Sequence, residues 1–199
     1  GKAMRRNAGF TIVELMVVLI VVLILSGIGF VAYTKYIESS KVTKLQADLK
    51  EYGTALLGFY TDTGALPGLD GGPFPQVLAN ASEIQDQAIR EAWKGPYIKT
   101  TAVCPFTGCV YEVDYTTGQA NQVGQVYQYF VIARRVPLKN ALEISKRLNG
   151  DARVQECVVG NIPSVVNGQQ APCTVYLSQT TGGSEAKVDV YYTFASGSY

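Results

Sequence analysis

Few side chains in this sequence are suited to catalysis, and those that stand out are four cysteines and one early glutamate. The 199-residue chain has no histidine, which is the commonest general base and metal ligand in proteins. It also lacks a phosphate-binding P-loop, a G-x-S-x-G nucleophile motif and a paired-acid motif in a credible setting. We therefore predict no catalytic residues and no enzymatic activity.

The four cysteines all lie after residue 100, and an even number of late cysteines favours disulfides formed outside the cytoplasm. The spacing of Cys104 and Cys109 resembles that of zinc ligands, but structural zinc sites usually have tighter Cys-x2-Cys knuckles and often histidine. We favour two disulfides, Cys104–Cys109 and Cys157–Cys173, over a zinc site. The connectivity stays open, because four cysteines permit three pairings.

Other ligand classes are disfavoured by the distribution of charge. Between Ser178 and Lys187, Glu185 is the only acid, so this segment lacks the acid density of a calcium loop. The chain has 17 Lys+Arg and 16 Asp+Glu, without the basic excess of a nucleic-acid binder. We expect no metal, no cofactor and no specific nucleic-acid partner.

An uncharged, proline-free apolar run extends from Leu15 through Thr34. As a helix it spans about 30 Å, the thickness of a bilayer's hydrocarbon core. The run is too long for the apolar region of a secretory signal peptide. Basic residues at Lys2, Arg5 and Arg6 predict a cytoplasmic N-terminus and a C-terminal part outside the membrane.

Glu14 immediately precedes this run, with the apolar residues Phe10, Ile12 and Val13 before it. A carboxylate near a membrane core costs about 3 kcal/mol on insertion scales, so it is rare and normally has a partner. A simple membrane anchor has no use for such a residue. Glu14 is therefore a candidate functional group.

The heptapeptide Gly9–Leu15, between a basic leader and a full-length apolar span, resembles the processing site of type IV prepilins and type II secretion pseudopilins. The resemblance implies that a membrane peptidase cuts between Gly9 and Phe10 and that Phe10 becomes the N-methylated first residue. It also implies that Glu14 acts in assembly by pairing with the amine of a neighbouring copy, since a buried charge needs a partner. We expect the amine and Glu14 to share one side of a helical turn.

The same resemblance implies the partners and the location of the chain. The partners are further copies in a homopolymer, the prepilin peptidase and methyltransferase, an inner-membrane assembly platform and minor pilins. The precursor is expected in the inner membrane, and the assembled subunit in a cell-surface or periplasmic filament. Two alternatives stay open: a type II secretion pseudopilin, which the pseudopilin-like segment Trp93–Lys99 favours, and a non-polymerising, membrane-anchored exported binding domain.

A second apolar pattern extends the predicted helix beyond the membrane. Apolar residues recur every three or four positions at Val42, Leu45, Leu49, Tyr52, Leu56 and Phe59. The opposite face carries Lys41, Lys44, Asp48, Lys50 and Glu51. We predict one helix from Phe10 to Tyr60, in which Gly27 and Gly29 form either an extensible point or a close helix–helix contact.

The predicted organisation is a leader at 1–9, a transmembrane or filament-core helix at 10–34, its amphipathic continuation at 35–61 and a globular head at 62–199. Within the head we predict short helices at Ala81–Trp93, capped by Ser82, and at Pro137–Leu148. The predicted strands are Val110–Tyr115, Val126–Arg134, Arg153–Val159, Thr174–Leu177 and Lys187–Phe194. The expected fold class is α+β, a long N-terminal helix packed on an antiparallel sheet.

Overall fold

The computed structural model describes residues 9–68, 71–115, 126–159, 173–179 and 186–198. The chain divides into two compact units, Gly1–Ser40 and Lys41–Tyr199. The second unit combines helices with a five-stranded, mainly antiparallel sheet. The predicted α+β fold class is confirmed.

Helix α1 begins at Ile12 and ends at Thr63, close to the predicted bounds of Phe10 and Tyr60. Neither Gly27 nor Gly29 interrupts it, and a side-chain carbon added at either glycine would meet nothing within 4 Å. From Ile12 to Tyr36, in the first unit, the large apolar side chains of α1 are exposed. In the second unit the predicted apolar stripe is buried, which confirms the amphipathic pattern.

Five strands form the sheet in the order β1-β2-β5-β4-β3. The strands are β1 (Val110–Tyr115), β2 (Val126–Pro137), β3 (Val158–Val159), β4 (Val175–Gln179) and β5 (Lys187–Ser198). The β1–β2, β2–β5 and β5–β4 pairs are antiparallel, whereas β3 pairs with β4 in parallel. Four of the five predicted strands are therefore present at nearly the predicted positions.

The predicted strand Arg153–Val159 is wrong over most of its length. Asp151–Arg153 is a 3-10 turn, and only Val158–Val159 is a strand. Local turn bonds hold the segment between them: Cys157 N donates to the Arg153 carbonyl at 3.2 Å. These bonds occupy backbone groups that a ladder would need.

The predicted helix Ala81–Trp93 is also wrong as one element. It is divided into a 3-10 turn, Ala81–Glu83, and helix α3, Gln87–Ala92. Asn80, not Ser82, caps the first piece, since its side chain accepts a hydrogen bond from Ser82 N at 3.0 Å. Asp86 caps the second piece by accepting from Ile89 N at 3.1 Å. Asn and Asp compete with helical backbone bonds in this way and favour caps.

Two further helices complete the second unit. Helix α2, Gln76–Ala79, lies in a segment for which the sequence analysis predicts no element. Helix α4, Leu138–Asn149, agrees with the predicted helical segment Pro137–Leu148. The Asn149 side chain ties α4 to β4: its amide oxygen accepts from Val175 N at 3.1 Å and its amide nitrogen donates to Val175 O at 2.7 Å. Positioning α4 against the sheet is therefore a structural role for this segment.

The sheet buries side chains on both faces. One face joins the core around α1, where Val188 and Val190 of β5 are buried and Tyr192 and Phe194 pack against them, since alternate residues of a strand face the same side. The other face has a smaller core consisting of Phe130, Ile132, Cys157, Cys173, Tyr176 and Tyr191. The sheet therefore lies between two apolar clusters and contributes side chains to both.

The four cysteines form two disulfides, with Cα–Cα distances of 5.6 Å for Cys104–Cys109 and 5.9 Å for Cys157–Cys173. These are the two pairings that the sequence favoured. The first closes the loop before β1, and the second lies within the smaller core.

Candidate processing and assembly site

Gly9 and Phe10, the predicted cleavage residues, both precede helix α1 and are exposed. The Phe10 side chain is 76% exposed, and a side-chain carbon added at Gly9 would meet nothing within 4 Å. The peptide bond between them is therefore open to an enzyme. The basic residues Lys2, Arg5 and Arg6 lie outside the described residues.

Thr11 is the N-cap of α1, a role that the sequence analysis missed. Its carbonyl accepts the first helical bond, from Leu15 N at 3.2 Å. Its side-chain oxygen accepts a second, from Glu14 N at 3.2 Å. Thr and Glu three residues apart, ahead of an apolar run, form the sequence signature of a capping box. That signature was available at Thr11-Ile-Val-Glu14.

Glu14 lies in the first turn of α1 and is exposed. A carboxylate is favourable there, because the first turn of a helix carries a partial positive charge. In the uncut chain Phe10 precedes the helix, which begins at Ile12 and is capped by Thr11. The pairing of Glu14 with the amine that cleavage would create stays a prediction.

The part of α1 that lies in the first unit, residues 12–40, is suited to an apolar environment. Within the described residues, α1 is the one helix that is long and apolar enough, by length and composition, to cross a membrane. Two of its hydroxyl groups are satisfied internally: Ser26 Oγ donates to Val22 O at 2.6 Å and Thr34 Oγ1 to Val31 O at 2.9 Å. Because lipid offers no hydrogen-bond partners, such internal bonds lower the cost of burying the helix.

The pseudopilin-like segment Trp93–Lys99 is anchored to the core of the second unit. Trp93 Nε1 donates to Val77 O at 2.9 Å, and the Tyr97 hydroxyl donates to Asp62 on α1 at 2.7 Å. Burial, together with this bond to a carboxylate, raises the pKa of Tyr97 and keeps its phenol protonated. The segment thus attaches the chain between α3 and β1 to the end of α1.

The chain is similar to known proteins in two comparisons. The family profile of the prokaryotic N-terminal methylation motif matches residues 4–30. Prepilin peptidase-dependent protein D of Escherichia coli (strain K12) is 38% identical to this chain over 69 residues. The aligned stretch covers 35% of this chain and 47% of that protein, so the chain spans about half the length of the curated relative. No solved structure matches significantly.

Both findings support the predicted resemblance to type IV pilins and pseudopilins. The matched range contains Gly9, Phe10, Thr11 and Glu14. Residues 4–30 of this chain therefore carry the prokaryotic N-terminal methylation motif, with its glutamate in the first turn of a long apolar helix.

Proposed function

We propose that this chain is a structural subunit of a type IV pilus filament, processed by a prepilin peptidase and assembled through its N-terminal helix. The observation that carries the proposal is the placement of Glu14. It is the one charged residue between Ile12 and Thr34, and it lies in the first turn of a helix that carries no charge from Leu15 to Thr34. Such a carboxylate is costly in an apolar medium unless a cation meets it.

Processing supplies that cation. Hydrolysis between Gly9 and Phe10 removes the basic leader and creates an amine at Phe10, which the methyltransferase then methylates. The amine and Glu14 of different copies neutralise each other when α1 helices pack side by side. The exposed apolar side chains of Leu15–Val31 then bury against neighbouring helices, which is favourable once the helix leaves the lipid.

A pilus subunit of this kind has defined partners and a defined location. An inner-membrane assembly platform adds copies of the chain, and minor pilins join the same filament. The precursor lies in the inner membrane with its N-terminus in the cytoplasm, and the assembled copy belongs to a filament outside. ATP hydrolysis belongs to the assembly machinery, so the chain itself has a structural and not a catalytic role.

A type II secretion pseudopilin is the second candidate, because Trp93–Lys99 resembles a segment of the major pseudopilins. The two candidates share the processing chemistry and differ in where the filament goes. A pilus subunit is recovered in fibres sheared from cells, whereas a pseudopilin stays in the periplasm and its loss blocks secretion. Fractionating cells that express the chain at native level separates the two.

The assembly step is tested by Glu14→Ala, with Glu51→Ala as the matched control. Glu51 is an exposed glutamate on the same helix but beyond the apolar run. We expect E14A to insert into the membrane normally and to lower filament yield by at least about tenfold, since it leaves the Phe10 amine unpaired. E51A should assemble like wild type. Wild-type filament yield from E14A would overturn the pairing argument.

The processing step is tested by Gly9→Val, which places a branched side chain beside the scissile bond. We expect the full-length precursor to accumulate in the membrane, detected by intact mass and by N-terminal sequencing. A wild-type chain that keeps its leader would instead support the non-polymerising membrane anchor, and would overturn the proposed function.

A further inference from the structure

We propose that Thr11 is a positioning residue for processing: by capping α1 it holds the Gly9–Phe10 bond outside the helix, where the peptidase can reach it. The inference rests on the proposed function, because it assumes that this bond is cut. The observation behind it is the hydrogen bonding of Thr11, which does not depend on the identity of the cleaved residues. Thr11 would touch no reacting atom and would act through the conformation of the two residues before it.

Two contacts fix where the helix starts. The Thr11 carbonyl accepts from Leu15 N and its side-chain oxygen accepts from Glu14 N, both at 3.2 Å. The second bond satisfies a backbone donor that would otherwise be left without a partner at the helix start. Because an N-cap has non-helical backbone angles, Gly9 and Phe10 lie outside the helix.

The sequence before Thr11 shows why such a stop is needed. Asn7 is itself a good N-cap residue, and Ala8 is the best helix former. A helix that started after Asn7 would place the Gly9–Phe10 bond in its first turn, with the carbonyl of Gly9 pointing along the helix. Gly9 opposes this by its low helix propensity, and the Thr11 cap opposes it by a side-chain bond. Gly9 and the Thr11 cap therefore both favour a helix that begins at Ile12.

Accessibility of the bond follows from this start. Peptidases cut segments whose backbone is exposed and free of regular structure, and both Gly9 and Phe10 meet that condition. Hydrolysis consumes one water, breaks the amide bond, and leaves a carboxylate on Gly9 and an amine on Phe10. The same cap then keeps the new amine off the helical path, free to meet a Glu14 of another copy.

The test compares Thr11→Val with Thr11→Ser in the full-length precursor, in membranes that contain a prepilin peptidase. Valine has nearly the shape of threonine but cannot accept the bond from Glu14 N, whereas serine can. Thr34→Val is the matched control, since the Thr34 hydroxyl bonds only within the helix, to Val31 O at 2.9 Å. The readout is the rate of leader loss in a pulse-chase experiment, with intact mass to locate the cut.

We expect T11V to be cut about three- to fivefold more slowly than wild type, the factor that losing an N-cap typically has on a helix-start equilibrium. T11S and T34V should be cut at the wild-type rate, and membrane insertion should be equal in all four. Equal rates for T11V and wild type, or equal slowing by T34V, would overturn the inference and leave the proposed function standing. A wild-type chain that is not cut at all would overturn the proposed function itself.

Discussion

The phenol of Tyr111, on strand β1, donates a 2.6 Å hydrogen bond to the carboxylate of Asp48, on helix α1. Asp48 is buried, and the same carboxylate oxygen accepts from Lys44 Nζ at 2.6 Å. Lys44 also donates to Val103 O at 2.8 Å, in the loop just before Cys104. This cluster therefore ties α1 to the first strand of the sheet and to the disulfide-closed loop.

Replacing Tyr111 with phenylalanine should destabilise the second unit. The ring would keep its packing, 5.3 Å between centroids, on Tyr52, but Asp48 would lose a donor in a nearly buried place. A hydrogen bond to a charged group contributes about 1.5–3 kcal/mol, so the free energy of unfolding should fall by that amount. Denaturant unfolding of the detergent-solubilised chain measures it. Tyr60→Phe is the control, and equal stability of both variants would contradict the prediction.

Stability should also fall at alkaline pH, and Tyr111 should contribute to the fall. Burial, then its hydrogen bond to Asp48 and the charge of that carboxylate, raise the pKa of Tyr111 well above its ordinary value of 10.0. The unfolded chain therefore releases the Tyr111 proton at a lower pH than the folded chain does. The stability that the protonated phenol contributes is complete below about pH 10 and is lost as pH rises beyond that value. Burial likewise raises the pKa of Tyr115.

The measurement is the free energy of unfolding between about pH 10 and 11.5. One proton difference corresponds to a slope of about 1.4 kcal/mol per pH unit. The slope of Tyr111→Phe should be shallower than that of wild type by nearly this amount. A Y111F variant with the wild-type alkaline slope would show that Tyr111 titrates alike in both states.

Periodicity was enough to predict the long helix and the strand β5. Apolar spacing of three or four along α1, and of two along Val188–Phe194, reports which side chains face a core. Each pattern repeats over several residues, so the evidence for a helix or a strand grows with every repeat. The start of α1 at Ile12 was within reach as well, because the capping signature of Thr11 and Glu14 is local.

Other features depend on contacts far apart in sequence, and no local pattern contains them. Asp48 looked like part of a solvent-facing stripe but is buried, since Tyr111 supplies its hydrogen bond across 63 residues. The break in the predicted helix Ala81–Trp93 has a similar cause: Ile84 is fully buried and its carbonyl accepts from the Arg90 guanidinium. Tertiary burial thus overrides helix propensity there.

Removing the Cys157–Cys173 disulfide should destabilise the chain more than removing Cys104–Cys109. The first bond spans 16 residues and the second spans 5, so loop entropy assigns them about 3 and about 2 kcal/mol. Cys157 and Cys173 also pack with Phe130 and the rest of the smaller core, so replacing them with alanine removes buried volume.

The comparison is between the double variants C157A/C173A and C104A/C109A, unfolded under identical conditions. We expect the first to lose at least about 1 kcal/mol more than the second and to bind more of an apolar dye, because its core is loosened. Equal losses, or a larger loss for C104A/C109A, would show that neither loop length nor the smaller core governs the effect.

Gly53 allows α1 to approach strand β5 closely, and replacing it with alanine should push them apart. An added side-chain carbon would lie 2.8 Å from Phe194 Cβ and 3.2 Å from Tyr192 Cε1. Overpacking of this kind costs about 1–3 kcal/mol, which meets or exceeds the gain of about 1 kcal/mol in helix propensity. Gly27→Ala is the matched control, because nothing lies within 4 Å of the added carbon. The thermal midpoint of the head, followed by near-ultraviolet circular dichroism of its aromatic residues, should fall for G53A and stay unchanged for G27A. A higher midpoint for G53A would mean that helix propensity, and not the contact with Phe194, determines the residue at this position.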